Sequence, residues 1–187
     1  MYMSVLGNTF SGVFDPVVIA HYLPSGVADG TETGDGKIGW LRGAIGFGIT
    51  REPLSGEGIV ACEPISMPQE TWALRLDEVA FPVGAIAHRH THSGSGWRHL
   101  VTGSLRIEAE HGTTVMKVGD SWFEPAHNPV RAVALQDTGV TRFVRCMVIP
   151  IADVGHSTFK LQSPKDADLP RLQTTVRHFD HVFQVEA

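Results

Sequence analysis

Only two cysteines, Cys62 and Cys146, occur among the 187 residues, and both sit in apolar runs, Ile-Val-Ala-Cys and Val-Arg-Cys-Met-Val-Ile. A disulfide framework is not indicated, and buried free thiols are expected. Positive charge is scarce as well. Fifteen Lys and Arg stand against twenty Asp and Glu, a formal charge of −5, which argues against a nucleic-acid partner or a polybasic membrane anchor. No apolar run approaches the roughly 18 residues of a spanning helix. The opening Met-Tyr-Met-Ser-Val-Leu-Gly lacks the basic segment of a secretory leader. A cytoplasmic protein without membrane association is the expectation. Also missing are Gly-x-Ser-x-Gly, a phosphate loop and Cys-x-x-Cys, so nucleophilic hydrolase and nucleotide chemistry have no support. The glycines at 43, 46 and 48 do not match a dinucleotide fingerprint, and Leu41–Ile49 reads instead as a Gly-containing strand or ordered arm.

What is present suits one globular domain. A chain of this length buries roughly 70% of the surface it exposes when unfolded, and 42% apolar with 19% charged residues is ordinary. Twenty Gly and eleven Pro imply many tight turns. In Thr71–Asp77, Trp72, Leu74 and Leu76 alternate with polar residues, as in a half-buried strand. The phase then flips to Val79 and Phe81, which predicts a bulge near Glu78. Leu105, Ile107 and Ala109 form the cleanest alternation, followed by a turn at Glu110–Thr113 and a return strand at Val115–Val118. Further strands are expected at Ser121–Glu124, Val130–Leu135, Val140–Ile149, Ser157–Gln162 and Thr174–Val185. Short strands at this spacing point to a sandwich or barrel rather than βαβ units.

Six of the ten histidines fall between residues 88 and 127, most densely in His88-Arg-His90-Thr-His92. Alternate residues of a strand share a face with Cα atoms about 6.5 Å apart, so two imidazoles can converge on one cation at about 2.0–2.1 Å. His88 and His92 stand about 13 Å apart on a straight strand. All three therefore meet one ion only if the chain bends, and Ser93–Gly96 offers the place. Solvated loop histidines are the plain alternative.

Downstream lies a second motif, Gly119-Asp-Ser-Trp-Phe-Glu124-Pro125. Together, Gly84…His88-Arg-His90…Gly103 and Gly119…Pro125 resemble the two motifs of the cupin superfamily, over about Phe81 to Pro150. The resemblance implies an all-β fold, a single jelly-roll-like antiparallel β-barrel with an N-terminal arm. It also implies a homodimer and motif histidines holding a divalent transition metal (Fe, Ni, Zn, Mn or Cu). On this reading residues 1–69 are the arm and edge strands, 70–152 the barrel core, and 153–187 strands completing or flanking it. This sequence departs from the family pattern in several places. The family's Glu position falls on Gly96, its second-motif Gly on His127, its His on Val130 and its Asn on Ala134. A gapless carry-over supplies only His88 and His90, with His92, Glu124 or His127 as substitutes. Two histidines with Glu124 would form the set used by non-haem Fe(II).

Arg98 shares the face of the missing Glu and would fix a carboxylate or enolate substrate, or else form a salt bridge to Glu124 or Glu108. Trp97 and Trp122 are expected in the barrel wall, and His99 facing away from the pocket. His178 and His181 are expected in a solvated or interface role. Two functions follow. One is a metal-dependent enzyme on a small oxygenated organic molecule, dioxygenase-like, with isomerase or lyase behind it. The other is a non-catalytic module that binds or senses a small ligand with a degenerate metal site.

Overall fold

The computed structural model describes residues 1–7, 9–10, 17–22, 28–31, 45–67 and 69–185. Its regular structure is all antiparallel β, with two single-turn 3₁₀ helices at Ile151–Asp153 and Pro164–Asp166. Five strands come from the first third of the chain: β1 (Tyr2–Leu6), β2 (Val18–Tyr22), β3 (Ala28–Thr31), β4 (Ile45–Thr50) and β5 (Ile59–Pro64). They make one sheet in the order β3-β2-β4-β1-β5. The Gly-containing stretch read from Leu41 is therefore β4 from Ile45 onward, while residues 41–44 lie outside the described residues.

Ten strands follow: β6 (Thr71–Pro82), β7 (Ile86–His92), β8 (Ser95–Thr102), β9 (Ser104–Ala109), β10 (Gly112–Lys117), β11 (Ser121–Glu124), β12 (Val130–Ala134), β13 (Val140–Pro150), β14 (Phe159–Leu161) and β15 (Thr174–Gln184). They form two five-stranded sheets, β10-β9-β12-β7-β14 and β11-β8-β13-β6-β15. Apart from the β9–β10 hairpin, the strands alternate between the sheets along the chain, a jelly-roll-like arrangement. Instead of one closed barrel ladder, these ten strands form two separate sheets, which supply opposite walls of one cavity.

The bulge expected near Glu78 is absent from the β6–β13 ladder, which pairs Trp72–Pro82 with Val140–Pro150 without a register shift. The apparent change of phase has another cause: β6 is buried on both faces. Trp72, Leu74 and Leu76 pack in one core cluster with Met3, Val5, Val18, Phe47 and Ile49 of the N-terminal sheet. Val79 and Phe81, on the opposite face, belong to a second cluster with Leu100, Leu105, Trp122 and Phe143. Strand β13 does the same, sending Val144, Cys146 and Val148 to the first cluster and Phe143 to the second. A strand covered on both sides loses the apolar–polar alternation that marks a half-exposed one. The irregularity lies instead in β15, whose pairing with β6 shifts between Arg177 and Phe179. Both cysteines are free, and Cys146 is buried.

Candidate functional site

The β7 strand decides which histidines enter the interior. Against β12, His90 pairs with Val130 and Ala87 with Ala132, so three residues of β7 oppose two steps of its partner. This is a β-bulge at His88–Arg89, and a bulge re-aims the side chains beyond it. Ala87, His90 and His92 line the cavity, whereas His88 does not and is only half-buried. The pair that enters is thus His90–Thr91–His92. Its imidazoles stand edge to face, with centroids 4.9 Å apart, and His90 stacks on Phe159 of β14 at 4.2 Å.

The cavity has a volume of about 460 Å3, within the usual range for small-molecule sites. Its inner part is apolar, walled by Val79, Phe81, Leu105, Ile107, Trp122 and Phe143. Its polar part carries His90, His92, Glu124 and four arginines, Arg98, Arg145, Arg171 and Arg177. Arg98 is 1% exposed and Glu124 15%, and the two form an ion pair at 2.8 Å. Glu124 also accepts from the Trp122 indole N–H at 2.8 Å, while Arg98 donates to the Gly96 carbonyl at 2.6 Å. Arg98 therefore realises the Glu124 pairing, whereas Glu108 lies on the surface between Arg106 and Arg131. Arg145 donates to the buried Asp77 at 2.6 Å, and Arg177 approaches the same carboxylate at 3.3 Å.

Both cavity histidines are neutral. Burial pushes the His90 imidazole down to about 4, although its bond to the His88 carbonyl and the Glu124 charge pull the other way. Burial, then the Arg145 and Arg98 charges, hold His92 well below its ordinary value. The partners fix the tautomers. His90 Nδ1 lies 2.7 Å from the His88 carbonyl and must donate to it, which leaves Nε2 as an acceptor with no protein partner among the described residues. His92 Nε2 faces Arg145 Nη1 at 3.3 Å. A guanidinium only donates, so Nε2 accepts and Nδ1 donates to the Thr158 hydroxyl at 2.9 Å.

His127 lies apart. Its side chain is exposed, and it meets β7 only through its backbone N–H, which donates to the His92 carbonyl at 2.7 Å. Its φ of 65° is left-handed, the conformation glycine adopts most readily. Trp97 packs in the layer under the N-terminal sheet, and Trp122 in the cavity wall. His99 turns away and bonds the Ser121 hydroxyl. Sequence reasoning missed Arg145, Arg171, Arg177 and Phe159. For Arg145 a signal existed: an arginine inside the apolar run Phe-Val-Arg-Cys-Met-Val-Ile needs a buried acid, and Asp77 is that acid.

Residues 77–145 match the family described as Cupin domain. They are a cupin domain. The match spans both cavity-forming sheets from the middle of β6 to the middle of β13. Similar solved structures include an RmlC-like cupin from Shewanella frigidimarina (23% identity over 43% of this chain and 70% of that one, TM-score 0.38). DMSP lyase DddQ from Ruegeria pomeroyi is similar at 19% identity over 50% of this chain and 45% of that one, with a TM-score of 0.43. A variant of Bacillus subtilis oxalate decarboxylase is similar at 20% identity over 62% of this chain and 34% of that one, with a TM-score of 0.40. Among curated proteins none matches.

Cupins commonly bind divalent metals, and the donor set here can be tested for that role. Among the described residues no three of His, Cys, Asp or Glu are grouped to hold one ion. Both His92 ring nitrogens are engaged, one by a permanent cation. Glu124 has one oxygen on Trp122 and the other on Arg98. Of the histidine nitrogens only His90 Nε2 remains free, and Glu124 is held by a guanidinium. The residues present do not fit a metal ion.

Proposed function

We propose that this cupin binds a small organic anion, a carboxylate with an apolar body, in the cavity between its facing sheets and without a metal ion. The observation that carries the reading is the charge of the cavity. Four guanidiniums face Glu124, with Asp77 beneath, and the two histidines are neutral; Asp180 is taken by Arg75. Two positive charges remain unmatched, in a chain whose formal charge is −5. The two in excess, Arg171 and Arg177, are solvent-accessible lining residues, and a planar guanidinium pairs a carboxylate through two parallel hydrogen bonds. The aromatic and aliphatic inner wall suits the apolar remainder of such a ligand.

Phenylacetate tests the reading, with the uncharged phenylacetamide as its control. Titration calorimetry on the tag-free protein should show binding of the acid at least about tenfold tighter than the amide, a difference of about 1.4 kcal/mol. Equal affinity, or none across a series of aryl and alkyl carboxylates, would refute it.

A metal-dependent enzyme, dioxygenase-like or an isomerase or lyase, is the second reading. The free His90 Nε2 beside His92 favours it. It requires His92 and Glu124 to release the arginines that hold them, and stoichiometric metal in the purified protein would support it. A cytoplasmic location and a homodimer complete the proposal; sedimentation checks the latter.

A further inference from the structure

Arg145 stands on β13 opposite both Arg98 of β8 and Asp77 of β6. Its guanidinium spans the site: Nη2 donates to Asp77 at 2.6 Å, and Nη1 meets the His92 Nε2 lone pair at 3.3 Å. Its Nε–H is buried with no partner among the described residues. A divalent ion on a histidine lone pair sits about 2.0–2.1 Å from the nitrogen. Along the direction in which His92 Nε2 accepts, that point falls between the imidazole and Nη1. The ion would collide with a group that carries like charge.

We infer that Arg145 is the resident cation of this site: its guanidinium occupies the place beside His92 that a divalent ion would need, and its removal opens a two-histidine metal site on His90 and His92. The inference rests on the metal-free reading above, but not on which anion the cavity takes. His90 Nε2 is already free and already an acceptor, so only His92 must be released. The two rings are 4.9 Å apart, close enough for one ion to reach both.

The test measures Zn(II) and Ni(II) binding, each added alone to tag-free protein, by calorimetry and by competition with a chelating dye. Arg145→Ala should bind Zn(II) at least about tenfold tighter than the wild type at a stoichiometry of one. The gain should vanish in Arg145→Ala combined with His90→Ala and His92→Ala. Because Asp77 is fully buried, Arg145→Ala leaves that carboxylate with only the longer Arg177 contact at 3.3 Å and risks destabilising the fold. Asp77→Asn/Arg145→Met avoids that charge and should show the same gain. Equal Zn(II) affinity in wild type and both variants would overturn the inference, as would a gain that survives loss of the two histidines. Stoichiometric metal in the wild type would overturn it together with the metal-free reading. Failure of phenylacetate binding alone would sink only the anion.

Discussion

The ion pair between Arg98 and Glu124 offers the sharpest test of how the interior is held. Consider Glu124→Gln. The replacement is nearly isosteric and keeps an oxygen for the Trp122 indole N–H, so shape and one hydrogen bond survive. What disappears is the carboxylate paired with Arg98, which is fully buried and then keeps the Gly96 carbonyl and the Met147 sulfur as partners. Burial already draws the Arg98 guanidinium down to about 10, against the pull of Glu124. Breaking a buried pair by removing one partner costs about 3–5 kcal/mol, because the remaining charge is uncompensated. Glu124 retains some solvent contact, so the low end, about 3 kcal/mol, is expected. In a chain of this size that lowers Tm by roughly 6–12 °C, at about 2–4 °C per kcal/mol. Replacing both partners, as in Arg98→Met/Glu124→Gln, should restore most of the loss, since no buried charge is then left unpaired. Urea unfolding followed by far-ultraviolet circular dichroism, on wild type, Arg98→Met, Glu124→Gln and the double variant, closes the double-mutant cycle. The reasoning fails if Glu124→Gln stays within about 1 kcal/mol of wild type, or if the double variant loses as much as the two single losses added.

Three further outcomes follow from the same geometry. His90 has a folded pKa of about 4 against an ordinary 6.5, so the unfolded chain binds the proton first. Its contribution is fully present above about pH 6.5 and is lost as pH falls towards 4, by up to about 3 kcal/mol. His90→Gln should flatten that part of the stability–pH curve, and an unchanged slope would count against a neutral buried imidazole. Gly96→Ala should destabilise by about 3 kcal/mol or fail to fold, because a Cβ there collides with the Cys146 carbonyl and the Met147 Cα. Gly96→Glu consequently cannot restore the family's carboxylate; a well-folded Gly96→Glu protein would contradict the packing. His127→Gly should keep or raise stability by up to about 1 kcal/mol, since it relieves a left-handed non-glycine residue. It should also leave phenylacetate affinity unchanged. A clear loss of binding would bring His127 back into the site.

Much of the cavity-forming part was legible in the sequence because period-2 alternation survives wherever one strand face meets solvent or a turn. Thus β9, β11 and β12 fall where the pattern places them, while the turn expected at Glu110–Thr113 is tighter: Glu110 and His111 alone join β9 to β10, which begins at Gly112 rather than Val115. The pattern misled where burial is two-sided, and the change of phase at Glu78 records a strand passing between two cores. It also misled at the histidines, since one extra residue in β7 shifts the inward set from His88 and His90 to His90 and His92. No local sequence signal marks a bulge whose cause is pairing with β12, a strand distant in the chain. The arginines of β15 and the loop before it were invisible for a related reason. Arg171 and Arg177 reach the cavity only because β15 adds to the edge of β6, a pairing that joins the two ends of the cavity-forming part.

The sheet built from β1–β5 has a bearing on what can be cut from this protein. It covers Trp72, Leu74, Leu76, Val144, Cys146 and Val148, which sit on the strands whose other faces shape the ligand cavity. A fragment trimmed to residues 77–145 would bare part of that apolar layer while losing the rest of β6 and β13, and open surface of that kind seeks other chains. The recognisable family segment is therefore the middle storey of a taller building, and pressure on the floor beneath is felt in the room above.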